Sequence, residues 1–268
     1  MKNFIGNIIK KNFPKIYQNI IFRKEGRYSY SFDKNLYPGS FLATTSPSGS
    51  KEKSEVPEQI FCFWTGSNEM SENRKRGLAS LQEVSKKKVI LITPENLPQY
   101  VLPEFPLHPA FELLSLVHRS DYLRCYFMHH HGGGYADVKT FHQSWKEAFK
   151  KIRKNADKYI LGYPEVGGIA PVGGKLYDDL KFHMPLLIGN GAYICKSHTE
   201  FTSEWYQELH KRMDEYADPL QAFAKKQITE YPVPYTYLLG QIFHPLSLKY
   251  HNRLLQDRKL MPDFKNYH

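Results

Sequence analysis

Residues Gln59 to Thr93, QIFCFWTGSNEMSENRKRGLASLQEVSKKKVILIT, change period twice within one short stretch. Gln59 to Trp64 is short, aromatic and β-branched, the composition of a strand. Ser71 is placed to cap a helix, and Leu78, Leu81 and Val84 then recur at helical spacing. Lys88 to Thr93 is a nearly continuous apolar run, as expected of a strand covered on both faces. Strand, helix, strand is a βα unit. It puts the chain in the α/β class, with a mostly parallel twisted sheet flanked by helices.

Downstream, residues 109–131 read as helices, with Ser120 as cap of the second and Leu123, Phe127 and Met128 on one side of it. Gly132 to Gly134 end that helix, because glycine tolerates left-handed geometry. Tyr135 to Phe141 and Pro185 to Lys196 read as strands, and Phe201 to Met213 as an amphipathic helix. Gly162 to Gly174 has the glycine and proline content of a loop over a site. The tail from Tyr231, rich in Pro, Tyr and His, has no clear period, and no internal repeat is present.

The bulk numbers exclude some classes. At 268 residues and 41% hydrophobic, the chain can bury a substantial core. A net charge of +10 points to an anionic partner. The basic clusters Arg74–Arg76 and Lys86–Lys88 come without any nucleic-acid-binding motif, so nucleic acid is not expected as a partner. Cys62, Cys125 and Cys195 are far apart, which suits buried thiols in a reducing compartment. No apolar run is long enough to span a membrane. Residues 1–55 read as a basic amphipathic segment and linker, and residues 56–268 as the main domain. Phe4, Ile5, Ile8, Ile9 and Phe13 recur at roughly helical spacing, with Pro14 as a break. Two readings stand for this segment: a helix packed on the domain body, or an interfacial anchor on an anionic membrane surface. The location expected is cytoplasmic, and peripheral at the inner face of the membrane under the second reading.

Ser120 to Phe141, SDYLRCYFMHHHGGGYADVKTF, holds the candidate chemistry. Asp121 and Arg124 are one helical turn apart and share a face, either as a surface ion pair or as a grip on vicinal hydroxyls or a phosphate. His129, His130 and His131 diverge by about 100° each on a helix and cannot converge on one ion. The glycines lack both the P-loop and the GxGxxG spacing. Asp137 is either a partner of Lys139 or a ligand for a divalent cation or a sugar hydroxyl.

The combination of Ser120, Asp121, Arg124, Gly133, Gly134, Tyr135 and Asp137 resembles the sugar-nucleotide signature of glycosyltransferase family 32 and the related bacterial capsular polysaccharide synthesis proteins. Pro57, Ile60 and Trp64 resemble the family's opening strand. The likeness runs over about residues 56–200. It implies a GT-A-like sheet with a single nucleotide-sugar site. It also implies transfer of a hexose or related sugar from a nucleoside diphosphate, with retention at the anomeric carbon. The acceptor would be a saccharide or lipid-linked saccharide in surface polysaccharide or lipopolysaccharide synthesis. Asp121 and Arg124 would hold donor-sugar hydroxyls, and Asp137 would bind Mn²⁺ or Mg²⁺, or the ribose and phosphate. Phe63 and Trp64 would line the base pocket, and Asn190 would sit by donor or acceptor.

One departure weakens the metal clamp. Lys139 stands where a DxD motif has its second acid. Either Asp137 holds the cation with help from diphosphate oxygens, or Lys139 neutralises part of the diphosphate. Weaker metal dependence is the expectation. The alternative to an enzyme is a non-catalytic sugar-nucleotide-binding protein.

Overall fold

The computed structural model describes residues 30–44 and 55–265. The helix-or-anchor reading of the N-terminal segment falls outside the described residues.

Six strands form one mixed sheet in the order β2-β1-β3-β5-β4-β6. They are β1 (Gln59–Phe63), β2 (Lys88–Ile92), β3 (Gly133–Ala136), β4 (Ile160–Pro164), β5 (Ile188–Cys195) and β6 (Leu254–Gln256). The β1–β2, β1–β3 and β4–β6 pairs are parallel, and β5 runs antiparallel to both β3 and β4. Among the described residues six α-helices accompany them: α1 (Glu72–Val84), α2 (Leu116–His130), α3 (Lys146–Lys154), α4 (Gly174–Phe182), α5 (Glu200–Ala224) and α6 (Gly240–Lys249).

Strand alternation builds two cores. Phe61, Phe63, Tyr135 and Tyr193 face the larger one, with side chains of α2, α5 and α6. Ile60, Cys62, Ala136 and Ile194 face the smaller one, with Leu81 of α1 and Phe149 and Ile152 of α3. Tyr37 and Leu42, from residues 30–44, are buried in the larger core. The three cysteines are buried and free.

Lys88–Ile92 is an edge strand, and its apolar run is covered on both faces as expected: Ile90 and Ile92 pack with the larger core, Val89 and Leu91 with the smaller. Other local readings need correction. The cap of α2 is Ser115, whose hydroxyl accepts from His118 N; Ser120 lies inside the helix. The strand read at Tyr135–Phe141 starts earlier and stops at Ala136. The chain then turns, with Lys139 N donating to Asp137 O at 2.8 Å.

Gly132 is required where it stands. It closes α2 at φ +63°, and a Cβ there would lie 2.7 Å from Glu55 O. This sharp exit lets β3 enter the sheet directly after the helix. Residues at the end of β3 therefore return beneath the middle of α2, and that return positions the site.

Candidate functional site

β1, β3 and β4 end, and β5 begins, on one edge of the sheet. Trp64, Asp137, Glu165 and Asn190 are thereby collected there. β1 is the point where the order reverses, with β2 on one side and β3 on the other. Crevices at such points are the usual ligand sites of open α/β sheets.

Arg124 crosses from α2 to this edge and is the hub. Its Nη2 lies 3.2 Å from Asp137 Oδ1 and 3.9 Å from Asp121 Oδ1. Its Nη1 donates to Asn190 O at 3.2 Å, and the guanidinium sits 4.6 Å from the Tyr135 ring centroid. Tyr135 Oη donates to Asp137 Oδ1 at 2.5 Å, and Lys139 Nζ donates to Asp137 Oδ2 at 2.8 Å. Tyr135, Asp137 and Lys139 meet because the chain turns after β3, not because a strand aligns them.

The two carboxylates are tuned in opposite directions. Burial pushes the Asp121 carboxyl up to about 6; Arg124 opposes this and the Asp137 charge adds to it. Among the described residues, Asp121 has only the long pair with Arg124. Burial also works against charge on Asp137, but Arg124, Lys139 and two hydrogen bonds outweigh it and hold that carboxyl below the usual range. Burial disfavours the Arg124 charge too, and Tyr135, Asp137 and Asp121 overcome it, so its pKa is raised.

Two cavities meet at this hub and share Val117, Arg124, Asp137 and Tyr235. The first, about 320 Å³, runs along the end of β1 past Phe63 and Trp64. Its charged residues are Arg74, Arg124 and Lys139 against Asp137 alone. The second, about 440 Å³, extends toward the loop after β4. Its charged residues are Asp121, Asp137 and Glu165 against Arg124 alone. One cavity is therefore cationic and its neighbour acidic, with the boundary at the Arg124–Asp137 pair.

All eight residues singled out in the sequence come to this edge. Asp121, Arg124, Asp137 and Asn190 line the second cavity, and Phe63, Trp64, Tyr135 and Lys139 line the first, with Arg124 and Asp137 also in it. Phe63 is buried against Phe127 and Tyr135, so it is wall, not an exposed stacking surface. Trp64 is fixed by Nε1 donating to Asn68 O at 2.7 Å.

Sequence reading missed four participants. Arg74 was one of a basic cluster, yet it turns inward and donates to Val138 O at 2.8 Å. Glu165 and His244 form a buried pair at 3.2 Å in the second cavity. Tyr235 sits in the unassigned tail. The only signal for Glu165 was its place in the glycine- and proline-rich stretch; the other three left none.

The fit to a divalent cation is poor. Both oxygens of Asp137 are engaged by cationic side chains, and Asp121 is the other nearby carboxylate. Among the described residues, no group of three or more His, Cys, Asp or Glu side chains could hold a metal ion. The histidine run behaves as its spacing requires. His129 stacks on Tyr206, His130 lies between Phe105 and Tyr126, and His131 Nε2 donates to Tyr100 O at 2.8 Å.

The family model for capsular polysaccharide synthesis proteins matches residues 9–162, more than half of the chain, and the chain belongs to that family. The match takes in Asp121, Arg124 and Asp137 and stops short of Glu165, Asn190, Tyr235 and His244. It also begins well upstream of residue 56. No curated protein matches the chain. Among the described residues, no helix is long and apolar enough to cross a membrane.

Proposed function

We propose that this member of the capsular polysaccharide synthesis family is a glycosyltransferase with a GT-A-like fold, moving a sugar from a nucleoside diphosphate to a saccharide acceptor. The observation that carries this is the charge division of the two cavities at Arg124 and Asp137. A diphosphate suits a cleft with three cations to one carboxylate. A neutral polyhydroxylated ring suits a cleft with carboxylate acceptors for its hydroxyls. The bond between diphosphate and sugar would then lie at the shared boundary.

On this reading the base and ribose lie along Phe63 and Trp64, and Arg74, Arg124 and Lys139 face the diphosphate. Asp121 and Asn190 orient the donor sugar, which lowers the entropic barrier. As the bond from the anomeric carbon to the diphosphate oxygen breaks, the fixed cations stabilise the charge that develops on the leaving group. The acceptor hydroxyl oxygen bonds to that carbon, and its proton passes to the departing diphosphate. Glu165 is held by His244 and by the amides of Gly167 and Gly168, which fix its carboxylate in the wall of the second cavity. Retention at the anomeric carbon is the expected stereochemistry. Because Lys139 and Arg124 already flank Asp137, charge on the leaving diphosphate is met by the chain's own cations, and no step depends on Mn²⁺ or Mg²⁺.

A panel of UDP-, GDP- and CDP-sugars tests this, scored by thermal shift for binding and by slow hydrolysis for turnover. One donor class should bind and be hydrolysed. Asp137→Asn should lower hydrolysis by about 10²-fold with unchanged circular dichroism. A chelator arm should leave most of the wild-type rate; complete loss with full rescue by Mn²⁺ would defeat the role given to Lys139. Full turnover in Asp137→Asn would defeat the site assignment. The engagement of Asp137 by Lys139 also favours a second reading, a non-catalytic sugar-nucleotide binder. Binding of a donor with no hydrolysis or transfer would select it.

A further inference from the structure

Nine large apolar side chains are exposed among the described residues, and four of them, Leu116, Val117, Tyr235 and Phe264, line the two cavities. Scattered singly such residues mean nothing. Gathered at one cleft they form an interaction surface. Two are aromatic: Tyr235 is 75% exposed on the wall of both cavities, and Phe264 is 42% exposed on the wall of the second.

Neither ring hangs on a loose segment. Tyr235 O accepts from His118 Nε2 at 3.3 Å, which leaves His118 Nδ1 to accept from Tyr231 Oη at 2.9 Å. Tyr231 Oη in turn accepts from Ser115 N at 3.1 Å. The chain before and at Tyr235 is therefore tied to the start of α2. Phe264 lies with its ring centroid 5.0 Å from Lys139 Nζ and meets Tyr163 edge-on. The structure thus holds two partly exposed aromatic rings, Phe264 with Lys139 Nζ over it, beside a cavity lined by three carboxylates and one guanidinium.

That combination selects a chemical class. A pyranose has a C–H face that packs on an aromatic ring, and hydroxyls on its edges that donate to carboxylates and amides. A carboxylate on the sugar would meet Asp121, Asp137 and Glu165 and be repelled. We propose that Tyr235 and Phe264 are the platform for the acceptor, that the acceptor enters through the second cavity, and that it is an uncharged saccharide, acidic sugars being rejected. This rests on the second cavity being the sugar side of the site. It runs against the polyanionic acceptor that the overall charge of the chain suggests.

The test uses the full chain with saturating UDP, GDP or CDP, whichever binds. Saturation-transfer NMR is recorded with methyl β-D-glucopyranoside, methyl β-D-galactopyranoside and methyl β-D-glucuronide. A neutral glycoside should bind and the glucuronide should bind least. Tyr235→Ala should weaken the glycoside by about tenfold, Tyr235→Trp should restore it, and Phe264→Ala should weaken it as well. Nucleotide affinity should fall far less than glycoside affinity in each variant. Three results would overturn the proposal: the glucuronide binding as well as the neutral glycosides, nucleotide and glycoside weakening in parallel, or no glycoside binding to the wild type. The donor reading fails separately, through nucleotide affinity or turnover that does not respond to Asp137→Asn.

Discussion

Asp121 and Asp137 share one guanidinium and hold their protons very differently. Asp137 accepts from Tyr135 and Lys139 as well as facing Arg124, so it stays ionised. Asp121 has Arg124 only at 3.9 Å, and its carboxyl is pushed up to about 6 by burial. In an unfolded chain the same group has an ordinary pKa of about 3.9. The folded state therefore binds the proton more tightly than the unfolded one. This contribution to stability is complete below about pH 4 and is lost as pH rises through about 6. At pH 8 the ionised, buried Asp121 costs up to about 3 kcal/mol. Asp121→Asn should then melt higher than wild type at pH 8, by roughly 5 °C for a chain of this size, with the difference vanishing toward pH 4. The same variant should lose donor turnover. A melting series at several pH values decides it; a variant that melts lower at pH 8 would show that Asp121 is a structural ion pair. Sequence spacing alone put Asp121 and Arg124 on one face and left both surface pair and binding grip open. It could not tell which carboxylate Arg124 prefers. That preference depends on Gly132 returning the chain beneath α2, a long-range consequence of one backbone angle.

Elements with one clean period were legible. β1 and β2 fall within a residue of their expected bounds and α1 starts at its expected cap, Ser71, because each carries its own pattern of apolar side chains. α5 and α6 were less legible, since each contains a proline, Pro219 and Pro245, where local rules end a helix. Packing of α5 and α6 into the larger core overrides that penalty. The loop after β4 was legible as a loop but not in what fixes it. Glu165 Oε1 accepts from Gly167 N and Gly168 N, and its Oε2 accepts from His244 Nε2 at 3.2 Å. His244 Nδ1 accepts from Ala170 N at 3.2 Å, which is why Nε2 carries the proton. One buried pair thereby satisfies three amides of the wall of the second cavity. Glu165→Ala would release the Gly167 and Gly168 amides to water and leave the buried His244 Nε2 without its acceptor, at a cost of about 1–3 kcal/mol. Amide exchange at Gly167, Gly168 and Ala170 should quicken well beyond the global change, while residues of β1 should not. A uniform acceleration across the sheet would mean that the pair supports the whole fold and not the loop.

At the scale of the whole molecule the sheet has both faces covered, and the seam between α2 and α5 carries an unusual load of histidine. His129 is pushed down to about 3, and His130 and His210 to about 4, by burial first and then by neighbouring histidines such as His198 and His108. Each is neutral in the fold and takes up a proton on unfolding below about pH 6.5. The unfolded chain therefore binds more protons, and stability rises with pH across this window and is lost on acidification. Asp121 works the other way between about pH 4 and 6, but it is one group against three. These four groups alone give a net of roughly two protons, a fall of about 2–3 kcal/mol per pH unit below pH 6, and the lowered His118, His131, His183 and His251 add to it. His130 is the informative position. Neither of its ring nitrogens has a hydrogen-bond partner among the described residues, and its ring packs on Phe105 and Tyr126 at centroid distances of 4.7 and 4.6 Å. His130→Phe keeps that packing and removes two unpartnered buried nitrogens, whose burial is costly. It should raise the melting temperature at pH 7 and reduce the acid slope by about one proton. Urea unfolding at pH 7, 6 and 5 measures both at once. A variant less stable at pH 7, or one with an unchanged slope, would mean that His130 finds a partner in solution and that the seam is held by hydrogen bonds instead of ring packing.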